Sequence, residues 1–242
     1  MRTYYKNVAI HYAGDYAKMR EHINKKADVA DYAYSGKYIS YGDKQYPHVF
    51  YQLEEPPYVI FYEGKIELLA GPVIAVVGNR KPSSYSLEIT QKLVEIIKAR
   101  YSIISGLAYG IDVCAHLEAI NSATIAVIAC GLDCYYPKEH ENIQKYLMKH
   151  HLVISEYPFG VKPQRHHFPF RNRLIACLGE KVYVMSATER SGTMCTVNEA
   201  LRLNREVICL PHPINDITGY GCNLLIEQGA SLLTNLQDLD NI

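Results

Sequence analysis

From residue 73 onward the chain alternates between two hydrophobic patterns. Short runs of β-branched and aliphatic residues at 73–77, 102–104, 124–129, 152–154, 181–185 and 206–210 have the length of strands. Between most of them lie amphipathic stretches of helical length, at 87–98, 111–120, 142–150, 172–178 and 196–203. Strands separated by helices need crossover connections, which predicts a Rossmann-like α/β fold: a largely parallel sheet with helices on both faces. Such a sheet binds its ligand outside the carboxyl ends of the strands, where the strand order reverses.

The first 70 residues break this rhythm and read as a small amino-terminal extension, with residues 71–242 as the main domain. Residues 15–31 carry a weak apolar stripe (Met19, Ile23, Ala27, Ala30) that fits a helix or two. Pro56-Pro57 removes two backbone donors and favours extended geometry, so a turn there should deliver the chain into a short strand at 59–64. A linker at 68–72 then leads into the main domain.

Composition narrows the field without choosing within it. With 48% hydrophobic and 21% charged residues the chain should fold as an ordinary globular protein. Basic and acidic residues balance at 25 each, so only local clustering can argue for a polyanionic partner. Seven cysteines lie scattered in apolar segments with no Cys-x-x-Cys, and no secretory signal opens the chain. Those features point to buried thiols in a reducing, cytoplasmic setting, with no metal site. No apolar run approaches the roughly 18 residues that a membrane span needs.

The candidate chemistry lies at the expected rim. The first strand of the main domain runs into Gly78-Asn79-Arg80, followed by Ser83-Ser84 and a helix start. A glycine there lets the backbone approach an anion, and the helix start supplies free amides that Ser83 or Ser84 can cap. The alternative is a plain glycine turn into a capped helix. Neither the dinucleotide fingerprint nor the P-loop pattern is present. The next strand ends in Ser105-Gly106, where a dehydrogenase would place an acid for the ribose. Ser105 and the Gly106 amide are candidates for a second phosphate oxygen. Asp112 and His116, one turn apart, are either an acid–base pair or a helix cap with a structural histidine. Tyr135 and Tyr136 either stack on bases or cover the core.

The densest basic cluster spans residues 162–173, where Lys162, Arg165, Arg171 and Arg173 alternate with His166, His167, Phe168, Phe170 and two prolines. Cations for phosphate and rings for stacking are what a single-stranded backbone groove requires, and the segment reads as one loop. Ser191-Gly192-Thr193 before another helix adds a further anion-binding start.

Taken in order, these motifs resemble the DNA-processing protein A family of bacterial natural transformation, also called the Smf family. Tyr46-Pro47, Val76-Val77-Gly78-x-Arg80, Ser105-Gly106-x-Ala108-x-Gly110-Ile111-Asp112, Gly131-Leu132-Asp133 and Ser155-Glu156-Tyr157-Pro158 all fit. So do Phe168-Pro169-x-Arg171-Asn172-Arg173, Ser191-Gly192-Thr193 and Gly221-x-Asn223-x-Leu225-Ile226. The resemblance implies a Rossmann-like core that binds single-stranded DNA in a positive pocket, forms homodimers and loads the RecA recombinase, with no catalytic residue and no cofactor. It carries the DNA-binding role to Arg80, Phe168, Arg171, Asn172 and Arg173, with Ser105, Gly106, Ser191, Gly192 and Thr193 as backbone contacts; Gly78 of the strand-end turn and Arg165 of the basic cluster complete the candidate site. Tyr85-Ser86, Ser186-Ala187 and Pro211-His212 depart from the family's usual residues. Two other functions compete. One is a phosphoribohydrolase-like enzyme, in which Arg190 to Thr193 and Glu199 would act on nucleoside monophosphates. The other is a nucleotide-sensing module, in which the rim holds one small phosphate ligand.

Overall fold

Residues 1–236 are described by a computed structural model. At its centre lies β3 (Val73–Gly78), whose side chains alternate between two cores: Val73, Ala75 and Val77 on one face, Ile74 and Val76 on the other. Burial on both faces explains why the run reads as continuously apolar. Parallel neighbours follow on one side: β4 (Ser102–Ser105), β5 (Thr124–Val127) and β6 (Leu152–Ser155). On the other side lie β7 (Lys181–Ser186), β8 (Glu206–Cys209) and the two-residue β9 (Ser231–Leu232), also parallel.

Two strands of the amino-terminal segment, β1 (Lys37–Ser40) and β2 (Val59–Gly64), pair antiparallel and extend the sheet beyond β6. The full order is β1-β2-β6-β5-β4-β3-β7-β8-β9. The segment 1–70 therefore shares one sheet with the rest of the chain. It also contains α1 (Arg2–His11) and α2 (Tyr16–Asn24), two separate helices joined by a turn at Gly14.

Helices cover both faces, as the alternating pattern predicts. α6 (His167–Leu178), α7 (Gly192–Arg202) and α8 (Tyr220–Glu227) pack on the face that holds Ala75, Ile104, Val127 and Val184. α3 (Ser84–Ile97) and α4 (Ile111–Glu118) cover Ile74, Val76 and Ile103 on the opposite face. Farther along that face, α1, α2 and α5 (Glu141–His150) close over Phe61, Ala126 and Val153. No helix among the described residues is long and apolar enough to cross a membrane. All seven cysteines are free and none is fully exposed, in keeping with their apolar surroundings.

One element differs in kind from the sequence reading. Residues 167–173 are not loop but the start of α6. Pro169 sits within the first turn, where backbone amides have no helical acceptor, so the ring costs the helix nothing. That change of element decides which way each basic side chain of the cluster points.

Candidate functional site

The chain leaves β3 toward β4, β5 and β6, then returns through α6 to β7 on the other flank of β3. The order reverses at β3, and an open cavity of about 520 Å³ lies at that point. Its walls come from the end of β3, the start of α4, the first two turns of α6 and the first turns of α7.

The β3 end is fixed by close packing. A side chain at Gly78 would lie 2.5 Å from Ile111 Cγ1, so the missing Cβ makes room for α4. This is a different use of glycine from the close anion approach expected, although Gly78 does line the cavity. Asn79 ties the turn across the sheet: its amide donates to the Ser186 carbonyl at 2.9 Å, and its side chain donates to the Thr218 carbonyl at 2.7 Å. The Ser83 hydroxyl accepts from the Ser86 amide at 3.3 Å and caps α3. Arg80 is left exposed, its guanidinium 5.5 Å from the centre of the Phe168 ring. Tyr136 approaches the same ring at 5.4 Å between centroids and also lines the cavity, whereas Tyr135 turns toward Lys138 and Lys145.

Arg165 and Asn172 face the cavity beside Phe168, with Arg165 exposed. Neither Arg80 nor Arg165 forms an ion pair among the described residues. From α7 come Ser191, Gly192 and Thr193. The Ser191 hydroxyl is buried and lacks a hydrogen-bond partner, and α7 starts beside it at Gly192, in the turn whose amides have no helical acceptor. Free cations, ring faces and a helix start together favour an anion carrying flat groups.

Four expected contacts are changed by burial. The Ser105 side chain is fully buried and donates to the Val76 carbonyl at 2.7 Å. The Gly106 amide donates to Asp112 Oδ2 at 3.1 Å, and a Cβ at Gly106 would meet the Arg171 guanidinium at 2.6 Å. Both positions therefore brace the rim rather than meet a ligand. Arg173 is 5% exposed and points away from the cavity into an ion pair with Glu156, with Nη2 to Oε1 at 2.7 Å. Its place as the third residue after Phe170 on a helix, rather than in a loop, turns it to the other side of the wall. Arg171 does reach the cavity floor, yet it too is 5% exposed. It donates to the carbonyls of Gly106, at 2.8 Å, and of Val127.

Asp112 lines the cavity beside Arg171. Burial pulls the Arg171 guanidinium down to about 10, with the Asp112 carboxylate acting against that fall, so it stays protonated at neutral pH. Burial pushes the Asp112 carboxyl up, opposed by Arg171 and by the amides of Ala108 and Gly106. His116 does not partner Asp112: its ring bonds the Thr124 hydroxyl at 2.7 Å, and burial pulls its pKa down to about 3. The two residues are thus a loop brace and a structural histidine. Thr196, absent from the sequence reading, lines the cavity one turn beyond Thr193, and helical spacing from that residue is the signal that would have found it. Glu199 pairs with Arg202 at 2.8 Å and does not line the cavity.

An anion-directed cavity at the switch point of a doubly wound sheet places the protein in the class of Rossmann-like binding proteins. Within that class the family model of DNA recombination-mediator protein A matches residues 37–241, and the chain belongs to that family. It is 41% identical over 199 residues to DNA processing protein DprA of Streptococcus pneumoniae, spanning 81% of this chain and 71% of that one. The Bacillus subtilis DNA processing protein DprA is 38% identical over 205 residues, or 83% of this chain and 69% of the relative. The solved Streptococcus pneumoniae structure superposes with a TM-score of 0.82 at 37% identity, covering 92% of this chain and 80% of that one. DNA processing protein A from Helicobacter pylori, whose structure describes a single-stranded DNA binding mode, gives 0.77 at 31% identity, covering 86% and 95%.

Proposed function

We propose that this chain binds single-stranded DNA without regard to sequence, protecting incoming strands and loading the RecA recombinase on them during transformation and recombination. The observation that carries the reading is the single cavity in which unpaired Arg80 and Arg165 stand beside the Phe168 and Tyr136 rings and the start of α7. Cations take phosphates, and rings take bases of any identity because every base has a π-face. Family membership and the DNA-binding relative from Helicobacter pylori support the same ligand. The recombinase step, a homodimeric state and a cytoplasmic setting rest on family membership alone. The role is one of binding without bond chemistry, and the placement of Glu199 outside the cavity supports it.

Phosphate contacts release counterions, so affinity falls with salt at a log–log slope of about −0.7 per neutralised phosphate. Arg80→Ala combined with Arg165→Ala should make that slope shallower by about 1.4. A gel-shift series on an oligothymidine across salt concentrations measures it. Equal binding by wild type and double variant at every salt concentration refutes the proposal.

A further inference from the structure

The residues that separate the main cavity from its surroundings also line a second one. Arg165, Phe168 and Pro169 face the first cavity, while Gln164, His166, His167 and Phe170 face a cavity of about 570 Å³ on the other side. That second cavity opens between this wall and the turn joining α1 to α2, which contributes Tyr12, Asp15, Tyr16 and Lys18. Gly14, at φ +78°, lets the turn approach so closely that a Cβ there would sit 2.7 Å from the Tyr157 ring.

The chemistry of the two cavities differs. In the second, Asp15 is paired with Lys18 at 3.1 Å and Glu55 with Arg20 at 3.1 Å, so its charges are already matched. Rings dominate what remains. Tyr157 and His167, both buried and stacked on each other at 4.0 Å and 18°, form its floor, and the half-buried rings of Tyr16 and Phe170, 5.4 Å apart, are left to meet a ligand. Burial lowers the pKa of His167, opposed by the bond of its Nδ1 to the Ala129 carbonyl at 3.1 Å, and that bond fixes the ring. Polar edges come from the Gln164 amide and the exposed His166. A phosphate gains nothing here, whereas a neutral, flat group with hydrogen-bonding edges gains both stacking and polar partners.

We propose that this second cavity is a nucleobase subsite, filled by an unstacked base of the same strand whose phosphates lie on Arg80 and Arg165. The wall 164–170 is then shared, with the backbone held on one side and a base turned over to the other. The amino-terminal segment thereby contacts DNA directly. The subsite rests on the proposed function, because it needs a strand in the first cavity.

The test compares two oligonucleotides of equal length, one of thymidines and one with abasic sites throughout. Gln164 and His166 are exposed, so Gln164→Ala with His166→Ala leaves the fold intact. This variant should bind the thymidine strand about tenfold more weakly, the worth of the base's lost polar partners, with its abasic affinity and salt slope unchanged. Tyr16→Leu, which keeps the apolar bulk, should give the same pattern. Equal losses on both oligonucleotides, or no loss on either, overturn the subsite while leaving the first cavity's role intact. A wild-type protein that binds neither oligonucleotide overturns the proposed function and the subsite with it.

Discussion

Arg80 and Arg173 bear the same charge, and burial gives them opposite work. Arg80 is exposed above Phe168 and leaves its donors to solvent or ligand. Arg173 is enclosed: Glu156 takes two of its donors, the Glu55 and Phe170 carbonyls take others, and the Phe170 ring lies 3.7 Å from its guanidinium carbon. Removing one partner of a buried pair strands the other charge, at a cost of about 3–5 kcal/mol. Arg173→Ala should therefore lower unfolding stability in urea by that amount. Arg80→Ala should change stability by no more than about 0.5 kcal/mol while weakening DNA binding. An Arg173→Ala protein with wild-type stability and lost binding would return Arg173 to the ligand surface. The sequence could not separate these residues, since both stand in basic, aromatic contexts and only the helical phase of α6 tells them apart.

At the scale of elements, what was legible depended on how purely apolar each element is. β3 to β8 bury both faces, so their β-branched runs carried through to the structure nearly unchanged in extent. α1 hides because its buried face is partly polar: Lys6 and Asn7 are 5% exposed and both bond Asp31. β1 is four residues long and β9 two, too short for a pattern to form. The start of α6 is hidden because Phe-Pro-Phe looks like loop, although proline suits a first helical turn. The β3–α4 contact also carries a prediction. Gly78→Ala pushes a methyl group against Ile111 and toward the Ser186 carbonyl at 3.0 Å, an overpacking that costs about 1–3 kcal/mol. Ile111→Ala made together with it should cost less than the sum of the two single changes, because the clash is shared. Additive losses in thermal or urea unfolding would mean that α4 does not rest on that glycine.

For the molecule as a whole, zero net charge sets the form of binding. With no net positive charge to draw a strand, attraction rests on the few cations that the fold leaves unpaired at one rim. Arg80 and Arg165 are two, and Arg190, exposed just before α7, is a third close in sequence to the cavity wall. Two to three neutralised phosphates give a salt slope between about −1.4 and −2.1 for single strands, shallow for a nucleic-acid binder. Affinity per strand should rise steeply with oligonucleotide length until one protomer's cavities are filled, and then only in proportion to the number of registers a longer strand offers. A mononucleotide that binds as tightly as an oligonucleotide would favour a nucleotide-sensing module, since a cavity of about 520 Å³ is large enough for one nucleotide. A slope much steeper than −2.1 with continued gain in length would instead require cations from a second protomer, placing the strand across a dimer. Titrations of mononucleotide and of graded oligothymidines at several salt concentrations separate these outcomes, because phosphate count sets the slope and strand length sets the plateau.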